Sequence, residues 1–182
     1  MSVRRVVRGV VAFALTWQSL ACQPALGPVS AGLLSSEGTF TDETGRAVSL
    51  ESFRGSPLVV TAIFTSCTVR CPLTVQKLHE VDDAFGRAGV RVPIVILTLD
   101  PHTDTIERLQ RFKAERKLPD HWHLIRGSDR DTQSLARKLL VHAAYDVGHI
   151  DHDVRIAVLD RDGKLTRSFS GWSFDAGSAV VQ

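Results

Sequence analysis

Cys67 and Cys71, in the run Thr65-Ser66-Cys67-Thr68-Val69-Arg70-Cys71-Pro72, are the residues whose type and spacing point most directly to chemistry. Thiols this close together serve as a disulfide, a redox pair or a soft metal site. The preceding run, Leu58 to Phe64 (LVVTAIF), is apolar and β-branched, as in a strand buried on both faces. From Pro72 onward the spacing of Leu73, Leu78, Val81 and Phe85 is close to helical, with Pro72 suited to the first helical position. Both sulfurs are therefore expected at or just before a helix N-terminus, where unpaired N–H groups favour a thiolate. Arg70 adds a nearby positive charge. The C-x-x-x-C spacing is one residue longer than the usual C-x-x-C of disulfide oxidoreductases, which leaves room for an ion between the sulfurs. A disulfide closing so short a loop would add little entropic stabilisation.

Two thiolates do not close a structural zinc site, which normally takes four ligands, and there is no second cysteine pair. Soft thiolates select Cu(I), and two of them with one imidazole make a trigonal copper site. Seven histidines are available. His79, His121, His123 and His142 read as ordinary surface or helix-end residues. His149 and His152, in Gly148-His149-Ile150-Asp151-His152-Asp153, precede a C-terminal hairpin, and the spacing leaves both open as the ligand. Asp151 or Asp153 would orient such an imidazole through its second nitrogen.

These residues need a scaffold. Phe40 to Leu50 reads as a hairpin about Asp42-Glu43-Thr44-Gly45. Val92 to Leu99 is a second core strand, with Pro93 near its start, and Trp122 to Ile125 a third. Helical patterns run from Pro72 to Gly86–Gly89, from Asp104 to Arg116 with Asp104 in the first turn, and from Asp131 to Leu140. Val154 to Leu159 and Leu165 to Phe169 form a hairpin about Asp162-Gly163. Asp100 closes the second core strand and is expected to bond within the turn that follows. Alternating strands and helices between two hairpins predict an α/β fold: a thioredoxin-like central mixed sheet flanked by helices, with an N-terminal hairpin.

The 182 residues fit one domain with a proper core, and 43% hydrophobic with 23% charged residues is an ordinary globular balance. The formal charge is +2, but Arg4, Arg5 and Arg8 stand in the first 21 residues without an acid. Taking those three charges away leaves −1 for the rest, so nothing argues for nucleic-acid binding. The basic start and the apolar stretch from Val10 to Ala21 read as a signal or anchor segment, residues 1–22. Ser19-Leu20-Ala21-Cys22 resembles a lipoprotein signal; lipidation at Cys22, an uncleaved anchor and simple secretion all place the domain outside the cytoplasm. Residues 23–36, rich in Pro, Gly, Ser and Ala, read as a linker, and 37–182 as the folded domain.

Four blocks in unbroken order over residues 37–172 resemble the Sco/SenC family of copper-binding, thioredoxin-fold assembly factors for cytochrome c oxidase. They are Phe64 to Pro72, Leu97 to Thr105 with its DP-x-x-DT, Trp122 to Gly127, and Asp151-His152 ahead of Val158 to Gly163. The resemblance implies Cys67, Cys71 and His152 as copper ligands. The implied cargo is copper, as Cu(I) with Cu(II) also open. The implied partners are an oxidase subunit that receives copper or another copper chaperone, with the membrane reached through the N-terminus. Thr68 departs from the Pro that many relatives carry after the first Cys, which loosens the turn. After Gly171 only eleven residues remain, enough for about two helical turns from Ser173 to Val181, so that face of the sheet is expected to be less well covered. The competing function is an extracytoplasmic thiol–disulfide reductase in which Cys67 attacks and Cys71 resolves. A peroxidase reading has Arg70 in its favour and no further motif.

Overall fold

The structure, a computed structural model, describes residues 33–34, 38–146 and 149–181. The proposed signal segment and Cys22 lie outside them. Among the described residues, nine strands and three α-helices run in the order β1 (Phe40–Asp42), β2 (Ala47–Val48), β3 (Leu58–Ile63), α1 (Arg70–Arg87), β4 (Ile94–Thr98), α2 (Ile106–Glu115), β5 (Trp122–Arg126), α3 (Asp129–Lys138), β6 (Ala143–Asp146), β7 (His149–His152), β8 (Arg155–Leu159) and β9 (Leu165–Ser170). Seven strands form one sheet in the order β2-β1-β5-β4-β3-β8-β9, and β6 and β7 pair as a separate two-stranded sheet. The β3–β4 and β4–β5 pairs are parallel, joined by crossovers through α1 and α2; β8 is antiparallel to β3 and β1 to β5. This is the mixed sheet expected from the alternation of patterns.

Every residue of β3 and β4 is buried. Helices cover both faces, so their side chains need no polar alternation. On one face, Val59, Ile63, Ile94 and Ile96 meet Leu78, Val81 and Phe85 of α1 and Leu109 and Phe112 of α2. On the other, Val60, Ala62, Val95 and Leu97 meet Leu135, Ala136 and Leu139 beside α3. Leu33 and Leu34, within the segment read as a linker, are each 3% exposed and join this second cluster.

Several boundaries differ from the sequence reading. Helix α1 begins at Arg70, so Cys71 lies in its first turn and Pro72 is the third helical residue. Proline fits there because the first four N–H groups of a helix have no intrahelical partner. The helix also runs through Gly86, whose missing side chain would face open space. Asp104 is not in the first turn of α2: Thr105 caps that helix, accepting from the Arg108 N–H, and Asp104 is wholly buried. Helix α3 starts two residues before Asp131, capped by Ser128. The β6–β7 hairpin was not read from the sequence. In place of two helical turns, the C-terminus makes a single 3-10 turn, Ala176–Ala179. That segment nevertheless covers its face: Ala176 and Ala179 are buried against the α1 cluster, Phe174 stacks on Phe169 at 3.9 Å, and the Trp172 indole donates to Thr74 Oγ1 at 3.1 Å. Among the described residues no helix is long and apolar enough to cross a membrane.

Candidate functional site

The chain leaves β3 at Ile63, turns through Thr65 and Ser66, and enters α1 at Arg70. Val69, the residue before the helix, offers no capping side chain. The sulfur of Cys67 serves instead, accepting the Cys71 N–H at 3.4 Å. Burial opposes ionisation of Cys67, but the N–H and thiol of Cys71 and the N–H groups of Val69 and Arg70 outweigh it and hold the thiol below its ordinary pKa. Cys71 is the opposite case. It is 1% exposed, its thiol donates to the Phe64 carbonyl at 3.2 Å, and burial, with Cys67 and Asp104 nearby, pushes its pKa far up. The expectation that the helix N-terminus favours both thiolates therefore holds for Cys67 and fails for Cys71, where desolvation dominates. Both cysteines are free thiols.

His152 ends β7 and is 5% exposed. Its Nδ1 lies 2.9 Å from the Asp153 carbonyl, and its ring meets Phe64 edge-on at 5.6 Å. With Nδ1–H donating to that carbonyl, Nε2 carries the lone pair, and this buried nitrogen has no hydrogen-bond partner. Burial lowers the His152 pKa against the pull of the Asp153 carbonyl, so the ring is neutral at neutral pH. The orienting group is thus a main-chain carbonyl and not a carboxylate as expected. The Asp153 carboxylate goes to His142 Nδ1 at 3.0 Å, and the Asp151 carboxylate accepts from Arg70 at 2.8 Å. Arg70 reaches the cysteine turn through its N–H while its guanidinium is directed at β7.

Cys67 and His152 line one pocket of about 330 Å³ with Phe64, Val69, Arg70 and Ile150, whereas the buried Cys71 is not part of its lining. The three expected ligands are thus gathered around one turn, but not closed on a point. Among the described residues no three Cys, His, Asp or Glu side chains already stand in a metal-holding arrangement. Binding there requires the Cys71 thiol to leave the Phe64 carbonyl. An orphaned buried imidazole nitrogen on the pocket that the Cys67 thiol also lines nonetheless suits a soft cation better than a hard one.

The family model described as SCO1/SenC matches residues 30–179. The chain belongs to the SCO1/SenC family. The SCO1 protein homolog of Bacillus subtilis is 26% identical over 138 residues, 73% of this chain and 72% of that one. The Arabidopsis thaliana ScoI structure with copper bound superposes with a TM-score of 0.70 at 22% identity, covering 78% and 90% of the two chains. The structure of BsSco, a member of the Sco family of cytochrome c oxidase assembly proteins in which a disulfide switch was identified, gives 0.65 at 26% identity over 75% and 82%.

The remaining polar residues of this SCO1/SenC chain sort by partner. Asp104, which the sequence placed in a helix, accepts from the Thr65 N–H at 3.0 Å and from the hydroxyls of Thr65 and Thr98, tying the cysteine turn to the end of β4. The DP-x-x-DT block contains it, but its bond to the cysteine turn is not legible locally, because Thr65 is 39 residues away. Asp100 accepts from the Thr103 N–H at 3.1 Å, the turn role expected of it. His121 pairs with Asp82, and His123 meets Phe53 at 5.3 Å. His79, read as a surface residue, is half-buried against Trp122 at 4.6 Å. The side chain of His149 lies outside the described residues.

Proposed function

We propose that this protein binds copper through Cys67, Cys71 and His152 and delivers it to a cytochrome c oxidase, at a CuA-type site, during oxidase assembly. The observation that carries this reading is His152 Nε2: a buried, neutral imidazole nitrogen without a partner, on the same pocket as Cys67. Burying such an acceptor unsatisfied costs about 1–3 kcal/mol, and a soft cation would satisfy it. Family membership and the BsSco relative's place among oxidase assembly proteins support the destination. Cargo would pass by stepwise exchange with the thiolates of the recipient. The domain works outside the cytoplasm, tethered by residues 1–22, where the two thiols must be kept reduced to accept cargo. Protease accessibility in intact against lysed cells tests the compartment.

The decisive experiment is Cu(I) stoichiometry and affinity of the reduced full-length protein beside Cys67→Ser, Cys71→Ser and His152→Ala. One copper per chain, lost or sharply weakened in all three variants, is expected. Wild-type affinity in His152→Ala would refute the three-ligand site.

The unequal thiols favour a second reading, a thiol–disulfide reductase. The Cys67 thiolate attacks a partner disulfide, releasing one partner thiol. Cys71, once deprotonated, attacks the Cys67 sulfur and releases the second, so two electrons pass to the partner as the Cys67–Cys71 disulfide forms. This reading predicts cycling that is indifferent to His152→Ala.

A further inference from the structure

We infer that Arg70 is a positioning residue that docks the His152 strand onto the cysteine turn, and so sets the imidazole within reach of the thiols. The inference rests on the three-ligand reading above. Arg70 is the first residue of α1 and stands between the two cysteines in sequence. Its Nη1 donates to Asp151 Oδ1 at 2.8 Å and to the His152 carbonyl at 3.0 Å, one N–H for each acceptor. The β6–β7 hairpin is a two-stranded sheet of its own, so the ladder of the seven-stranded sheet does not fix the height of His152. Two strands alone hold a register weakly.

The ion pair itself is worth little, since the Arg70 and Asp151 side chains are 50% and 65% exposed. Its effect is on geometry. Asp153 and Phe64 already fix how the ring turns about its own bonds. The bond from Arg70 to the carbonyl of residue 152 fixes the backbone from which that ring hangs. A guanidinium suits this because its donors are planar and pre-organised. The outcome is a tie that runs from the cysteine turn itself to the histidine, across 82 residues of sequence.

The test is a double-mutant cycle on the full-length reduced protein, with Cu(I) affinity read by competition with a chromophoric chelator. Arg70→Ala should weaken Cu(I) binding by about 10-fold or more, as loss of an outer-shell partner does. In a His152→Ala background the same substitution should change it by less than about 2-fold, because the residue it positions is gone. In the copper-free protein, Arg70→Ala should speed amide exchange at residues 151–153 and leave β3 and β4 unchanged. Wild-type affinity in Arg70→Ala, with His152→Ala impaired, would overturn the inference and spare the site. An equal cost of Arg70→Ala with and without His152 would also overturn it, assigning Arg70 to the charge of the thiolates. An unimpaired His152→Ala would instead remove the three-ligand reading on which the inference stands.

Discussion

Cys67 and Cys71 are paired unequally: the Cys71 N–H serves the Cys67 sulfur, while the buried Cys71 thiol also has the Phe64 carbonyl as an acceptor. One thiol is thereby poised and its neighbour held in reserve. Brief iodoacetamide treatment at neutral pH, mapped by mass spectrometry, should modify Cys67 at least about ten times faster than Cys71, since the thiolate is the nucleophile. In Cys67→Ser, Cys71 should stay unmodified until the protein unfolds. Equal labelling would contradict the asymmetry.

His152 makes stability depend on pH. Its folded pKa lies below the ordinary value of about 6.5, so as pH falls below that value the unfolded chain takes up a proton that the folded one refuses. The contribution of the neutral ring is whole above about pH 6.5 and is lost as pH falls through the folded pKa, with a slope of up to about 1.4 kcal/mol per pH unit. His123, half-buried, is shifted the same way, chiefly by burial. Urea unfolding of the reduced protein from pH 7.5 to 5 should show this decline, and His152→Gln should flatten it in part.

Asp104 ties the cysteine turn to the end of β4 through Thr65 and Thr98. Replacing it by Ala would strand the buried Thr98 hydroxyl and the Thr65 N–H, at a cost of about 3 kcal/mol or more. Asp104→Asn keeps the shape and part of the bonding, and should cost less. Chemical denaturation orders the two variants, and an Ala substitution within about 0.5 kcal/mol of wild type would remove Asp104 from its assigned place.

Leu140 is a site for a gain. It follows α3 with φ +59° and is 41% exposed. The bonds from Leu140 N to Arg137 O and from Val141 N to Ala136 O close a Schellman end, in which this position ordinarily belongs to glycine. Leu140→Gly should raise the unfolding free energy by about 0.5–1 kcal/mol, relief of left-handed strain exceeding the entropy that Gly adds to the unfolded chain.

What the sequence made legible was what its local chemistry determines. LVVTAIF and VPIVILTL read as inner strands because burial on both faces leaves no polar alternation to interpret, and β3 and β4 are such strands. The cysteine turn read correctly as a strand-to-helix junction, though Pro72 pointed two residues past the true start, since any first-turn position tolerates proline. Hairpin β6–β7 escaped because three of the four residues of β6 are exposed and impose no period. His152 could be separated from His149 by resemblance but not by spacing. The bonds from Asp104 to Thr65 and from Arg70 to residue 152 span 39 and 82 residues, so no local window of sequence shows either pairing, although Asp104 itself stands in the DP-x-x-DT block.

The detached hairpin has a kinetic meaning. The thiols sit where an inner strand meets a long helix, while the imidazole hangs on an arm that shares no ladder with that sheet. Such an arm can swing open at a small fraction of the free energy of global unfolding. If Cys67, Cys71 and His152 hold a cargo ion as proposed, opening of this arm would remove one donor while two remain and the core stays shut. The dwell time of the ion would then follow how often the arm opens, and a receiving protein would compete with two donors at a time, not three.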